Sequence, residues 1–313
     1  MTSFLPISGA QLDRRESDLY SLLQSKRVRG AAGEPLPVVF KGLEDRGTRF
    51  LRGQLVLVSA GPGTGKSAFT LSYALQARVP ALYFSADSDA FVQLTRSISV
   101  VTGWTLEAAA RAVLKDELAA PREKLTGLPI RFNYQASPSL GDIETSIEAY
   151  EEVYGDYPAL IVVDNVTNVR SGMADDDGDP FAGLEGLMDY LHTMARETQA
   201  CVIGLHHVTG PYNDSDKPIP LSGVKGQISR VPEMVLTLFK PGPNRLGVST
   251  VKNRGGKSDS SGAEFAELEF LGDKMLIRDP KLLIQSTNYL EQAASSVNDE
   301  VMRRAEEMAD PFG

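Results

Sequence analysis

Ala60-Gly61-Pro62-Gly63-Thr64-Gly65-Lys66-Ser67 follows the apolar run Leu55-Val56-Leu57-Val58 and precedes a helix-forming stretch from Ala68 to Ala77. A strand, a glycine-rich turn and a helix in that order form a phosphate-binding loop. The glycines let successive backbone N–H groups converge on phosphate oxygens. The lysine neutralises β/γ-phosphate charge, and the serine hydroxyl reaches Mg²⁺. The helix N-terminus adds partial positive charge. Gly61, Pro62, Gly63, Thr64, Gly65, Lys66 and Ser67 are therefore the predicted nucleotide-binding residues, with ATP and Mg²⁺ as cofactors. Ala60 stands where the motif usually has its first glycine.

The chain has 313 residues, 42% hydrophobic and 23% charged, as a globular protein does. That length suits one large α/β domain with extensions. No apolar stretch approaches the roughly 20 residues of a membrane span, and Met1 to Ala10 lacks the pattern of a signal peptide. The lone Cys201 excludes an intramolecular disulfide framework and suits a reducing compartment, so a cytoplasmic location is expected. Cys201 lies in an apolar run and reads as core filling. Net charge is -9 and the isoelectric point about 5.0. A protein that coats nucleic acid with its whole surface is thereby disfavoured, while a local basic channel is not.

From Leu51 to Asp279 apolar strands alternate with amphipathic helices. Strands are expected at 55–60, 81–85, 129–134, 159–164 and 200–205. Helices are expected near 66–77, 88–101, 105–118, 139–154 and 180–198. This alternation predicts a mainly parallel sheet covered on both faces. Residues 233–240, 246–252, 264–271 and 274–278 read as an antiparallel extension. Helix 139–154 should bury Ile143, Ile147, Tyr150 and Val153; helix 180–198 should bury Phe181, Leu184, Leu187, Met188, Leu191 and Met194. Residues 11–29 have the pattern of an amphipathic helix, which either packs on its own domain or serves as an arm that docks on a neighbouring subunit. Three parts result: an arm at 1–40, an ATPase domain at 41–280 and a tail at 281–313.

Four strand ends carry further chemistry. Leu160-Ile161-Val162-Val163-Asp164 ends in a carboxylate placed to support the metal that Ser67 ligates. Ala81 to Ser85 leads to Asp87, a candidate to orient the attacking water, with Asp89 as a rival and helix capping at Asp87 or Ser88 as the competing explanation. Val202 to Leu205 leads to His206-His207, donors that can report the γ-phosphate. With adjacent side chains pointing opposite ways and no Cys or His cluster elsewhere, metal binding there is discounted. Val251-Lys252-Asn253-Arg254 places two cations on one side of a strand, suited to one phosphate group. Gly210 to Ile228 offers Lys217, Gly223, Lys225 and Gly226 for nucleic-acid backbone contact, without aromatic residues for base stacking. The loop from Ser171 to Pro180, with Asp175, Asp176, Asp177 and Asp179, should repel phosphate.

In this order the motifs resemble the ATPase domain of DnaB-type replicative helicases, within the RecA-like fold, over about 41 to 279. The carriers are the phosphate loop, Phe84-Ser85-Ala86-Asp87, the strand ending at Asp164, the strand ending at His207, the Gly-containing loop at 222–228, Lys252-x-Arg254 and the closing Leu268 to Gly272. The resemblance implies that Asp87 activates water and that His207 senses the γ-phosphate. It implies that Lys252 and Arg254 act in trans on a neighbour's nucleotide. Lys217, Lys225 and Gly226 would hold single-stranded DNA in the channel of a homohexamer. The arm would link neighbouring subunits, and replisome proteins would be partners. Asp87 replaces the usual Glu and His207 the usual Gln, with His206 as its rival. Too few residues precede Gly42 for the family's primase-interacting domain, so the resemblance is to a short, phage-like version. Two other readings share the phosphate loop: a RecA-like recombination or repair ATPase, and a low-turnover regulatory ATPase.

Overall fold

The computed structural model describes residues 22–170, 182–226 and 228–281. Their strands form one sheet in the order β3-β2-β4-β5-β1-β6-β7-β8-β9. The strands are β1 (Leu55–Ala60), β2 (Ala81–Ser85), β3 (Ile130–Asn133), β4 (Leu160–Asp164), β5 (Cys201–His207), β6 (Met234–Gly242), β7 (Arg245–Asn253), β8 (Phe265–Leu271) and β9 (Leu276–Arg278). The six strands from β3 through β6 run parallel, and β7, β8 and β9 continue the sheet antiparallel. β1, β2 and β4 are buried along their whole length, as their continuous apolar runs require of strands covered on both faces.

Side chains on β1 alternate between two cores. Val56 and Val58 join Phe40, Phe50, Phe69 and Tyr73 beneath helix Lys66–Ala77. Leu55 and Leu57 join Ile143, Ile147, Leu187, Met188 and Leu191 from helices Leu140–Tyr154 and Ala182–Thr198. Helix Leu140–Tyr154 starts with a reciprocal capping box between Ser139 and Asp142 and stops at Gly155 in the left-handed conformation. The antiparallel extension folds back on the phosphate-loop helix. Ser72 Oγ donates to Met275 O and accepts from Ile277 N, and Gln76 Nε2 donates to Ile277 O. The Asp279 carboxylate then accepts from Lys41 N and Gly42 N, at 2.7 and 2.9 Å.

Several expectations need correction. The segment read as one helix over 105–118 is helix Leu106–Leu114, followed by a separate helix Ala119–Thr126. The second has mainly charged and small residues and only Pro121 buried, so it lacks the apolar stripe that betrays a helix in sequence. Val153 is 70% exposed, unlike Ile143, Ile147 and Tyr150. At about 100° per residue it is rotated some 80° from Ile143, off the buried stripe. Neither Asp87 nor Ser88 caps the helix after β2. Asp89 does, accepting from Val92 N, which accounts for the rival carboxylate. The strand read as ending at 205 continues through both histidines. Of the arm, helix Leu22–Val28 is described, and its Leu23 and Val28 are exposed. Residues 11–21, Phe181, most of the tail and the aspartates at 175–179 lie outside the described residues. Among the described residues no helix is long and apolar enough to cross a membrane.

Phe69 has no exposed surface and stacks on Phe40 at 5.2 Å between ring centroids. Phe69→Ala should lower the unfolding free energy by about 3–5 kcal/mol. A denaturant midpoint equal to wild type would refute this account of the core.

Candidate active site

Parallel pairing in register brings four strand ends to one edge. Ala60 at the end of β1 pairs with His207 of β5, and Ser85 of β2 pairs with Asp164 of β4. The phosphate loop leaves this edge with Gly65 at φ 118, a conformation open to glycine. A Cβ there would also meet the Phe270 ring at 3.0 Å. Pro62 and Gly63 are exposed, whereas Gly61, Thr64 and Lys66 are buried. The Gly61 N–H donates to Ser215 Oγ at 2.8 Å. A Cβ at Gly61 would lie 1.9 Å from Asn213 O, so the loop and the 213–215 segment fit only without a side chain.

The Lys66 ammonium donates to the carbonyls of Ala60 (2.9 Å) and Gly61 (3.1 Å). Burial lowers its pKa to about 8, opposed by the charges of Asp164 and Asp87. The Asp164 carboxyl is pushed up by burial, while donors from Ser67 and Tyr83 pull the other way; the Tyr83 hydroxyl lies at 2.9 Å. Ser67 and Asp164 are thus already side by side. A hydroxyl and a carboxylate, both oxygen donors, suit a hard cation such as Mg²⁺. When bound, such an ion neutralises phosphate charge. Asp87 is fixed at both ends: its N–H reaches the Asp164 carbonyl at 3.3 Å, and its Oδ1 accepts from Asn168 Nδ2 at 3.0 Å.

The two histidines diverge. Asn165 Oδ1 accepts from Thr167 N, so Asn165 Nδ2 faces His207 Nε2, 2.7 Å away. The His207 proton then sits on Nδ1, leaving one donor. Burial lowers the His207 pKa, aided by Lys66. His206, fully buried, turns to the opposite face and meets Lys225 O at 2.9 Å. Among the described residues no group of three His, Cys, Asp or Glu side chains could hold a metal.

The Lys252–Arg254 turn lies elsewhere. Arg254 N donates to Glu233 O, and Glu233 N donates to Leu55 O, at the beginning of β1. The phosphate loop is at the other end, about 17 Å away by strand rise. Lys252 Nζ and Arg254 Nη2 both donate to Arg230 O, at 2.7 and 2.9 Å, so the pair shares one side as its spacing required. Lys217 and Lys225 are exposed, Gly226 has φ 68, and Gly223 is packed against Ile219 and Tyr212.

A model of the DnaB-like helicase C-terminal domain matches residues 36–264. The chain belongs to that family. Two phage relatives, each called Gene 65 protein, are close to this DnaB-like domain. That of Mycobacterium phage L5 is 63% identical over 266 residues, 83% of this chain and 99% of the relative. That of Mycobacterium phage D29 is 64% identical over 230 residues, 72% of this chain and 99% of the relative. Among solved structures, a DnaB-like replicative helicase studied with primase superposes with TM-score 0.70 and 18% identity, over 87% of this chain and 70% of its own. A second solved chain, an isolated ATPase domain, gives 0.69 and 17%, over 83% and 96%. The RadB recombinase gives 0.52 and 17%, over 79% and 100%. The fold is therefore RecA-like, and this DnaB-like domain is an ATP-hydrolysing helicase domain.

Sequence reasoning missed several members of this DnaB-like site. Lys240 Nζ donates to Gly63 O at 2.8 Å and lies 5.6 Å from the Phe270 ring centroid. Its signal was a lone charge closing the apolar run from Met234 to Phe239. Tyr83, Asn165, Asn168 and Ser215 bond to predicted residues across the fold, and no local pattern marks them.

Lys66 supplies a pH test. A lysine held near 8 loses its proton as pH rises through 8, and the neutral amine no longer attracts phosphate. ATP affinity should weaken above pH 8, toward roughly tenfold per pH unit. A dissociation constant that stays flat from about pH 7 to 9.5 would show that the ammonium remains charged.

Proposed function

We propose that this chain is an ATP-driven translocase that moves on single-stranded DNA and unwinds duplex as a homohexameric ring. One observation carries the reading: the phosphate loop and the Lys252–Arg254 turn occupy opposite ends of β1. No side chain spans that separation, so a subunit's own finger cannot reach its own γ-phosphate. In a head-to-tail ring each nucleotide site is completed by the next subunit.

The N–H groups of Gly63, Thr64 and Gly65, with Lys66, hold the triphosphate, and Lys240 adds a second cation at Gly63. Ser67 and Asp164 would hold Mg²⁺, which would neutralise phosphate charge there. Asp87, braced by Asn168, orients the attacking water and takes its proton. His207 Nδ1–H donates to the γ-phosphate. Arg254 and Lys252 of the neighbour stabilise charge that builds on the transferring phosphoryl group. Lys217, Lys225 and the backbone at Gly226 contact DNA phosphates. The strand-separating activity distinguishes this reading from a recombination ATPase of the same fold, so a forked-duplex unwinding assay is the deciding experiment.

Arg254→Ala should abolish hydrolysis, by at least about a hundredfold, while leaving ATP binding near wild type. Lys66→Ala should lose hydrolysis too. Rings mixed from the two variants should regain activity, because each mixed interface of one kind joins an intact loop to an intact finger. No recovery in rings shown to be mixed would remove the trans assignment. Lys225→Ala should weaken single-strand binding and reduce its salt slope by about one; unchanged binding would take that loop out of the channel.

A further inference from the structure

His206 has no role in the chemistry above, yet it is among the most constrained side chains at the sheet edge. It is fully buried on β5, on the opposite face from His207. Its Nε2 lies 2.9 Å from the Lys225 carbonyl, which can only accept, so Nε2 carries the proton. Its Nδ1 is buried without a partner. One polar bond therefore fixes the ring.

The receiving peptide is held from the other side as well. Lys225 N donates to His207 O, Thr209 N donates to Gly223 O, and Val208 bridges Val224. Residues 223–225 thus form a short antiparallel ladder with 207–209, and the His206 imidazole adds one more rung. The chain leading into this segment is tied at two further points. Thr237 Oγ1 donates to Ile219 O at 2.7 Å, and Ser215 Oγ receives the phosphate-loop Gly61 N–H. His206, Ser59 and Thr237 occupy one register row across β5, β1 and β6. The Lys225 side chain itself is exposed.

We propose that His206 is a positioning residue that couples the nucleotide site to the DNA-contacting segment. It clamps the Lys225 carbonyl, so that movement of the β5 end at His207 is transmitted to the Lys225 ammonium. The proposal rests on the reading of Lys225 as a DNA contact. Its chemical requirement is a single N–H donor at the reach of an imidazole Nε2, which a glutamine side chain can supply and a phenylalanine cannot.

The test compares wild type, His206→Phe and His206→Gln as full chains. Three quantities are read: basal ATPase rate, its stimulation by oligo-dT, and oligo-dT affinity. His206→Phe should keep its basal rate within about twofold and lose about tenfold in stimulation, with the Lys225 carbonyl left unpaired. His206→Gln should recover most of the stimulation. Stimulation of His206→Phe at the wild-type level would overturn the proposal, as would a His206→Gln variant that is folded and as uncoupled as His206→Phe. If His206→Phe does not fold, amide hydrogen exchange on wild type decides. Oligo-dT should change protection at residues 223–226 and at 206–209 together, and a change confined to 223–226 would overturn the coupling. Wild type that oligo-dT neither stimulates nor binds would defeat the DNA reading itself, and this proposal with it.

Discussion

Everything at the candidate site depends on β1 being paired in parallel on both sides, to β5 and to β6. In-register parallel strands end together. Their ends therefore deliver side chains to one edge without any local sequence linking them. Asp164 and Ser85 arrive on one pair of strands, and Ala60 and His207 on another. The same pairing sends Lys240, three residues beyond the Ser59–Thr237 pair, over the phosphate loop. It also fixes the distance between the two ends of β1, and with it the separation of the glycine-rich loop and the Lys252–Arg254 turn.

Burial at that edge sets the electrostatics. Lys66 and Asp164 are both removed from water, and desolvation works against each charge in turn. Neither is left unsolvated: the loop carbonyls surround the ammonium, and hydroxyls of Ser67 and Tyr83 attend the carboxylate. The result is an edge whose charges are close together and already oriented. Such preorganisation costs no rearrangement at the moment of reaction.

The middle of the sheet was legible because β1, β2 and β4 are fully buried, and full burial leaves uninterrupted apolar runs such as Leu160 to Val163. The phosphate loop was legible because its function demands backbone conformations that only a few residue types allow. Helix Ala119–Thr126 was illegible because it buries almost nothing, and Val153 misled because an apolar residue at the stripe's edge looks like one within it. At the site, Asp164, Asp87 and His207 followed from strand ends. Those that brace them did not. Asn168 at Asp87, Asn165 at His207 and Ser215 at Gly61 are chosen by distances across the fold, and a single sequence carries no trace of such pairings.

The family-model match ends at residue 264, but the hydrogen bonds do not. Past it, β9 closes on Ser72 and Gln76 of the helix Lys66–Ala77, and Asp279 holds the backbone at Lys41 and Gly42, near the start of the matched region. The last strand and Asp279 are therefore a buckle: they fasten the turn at Lys41 to the helix that carries Lys66. A fragment trimmed to the family boundary would keep every motif up to Arg254 and lose the clasp that keeps them in place. The hydrogen-bonded unit is longer than the matched stretch.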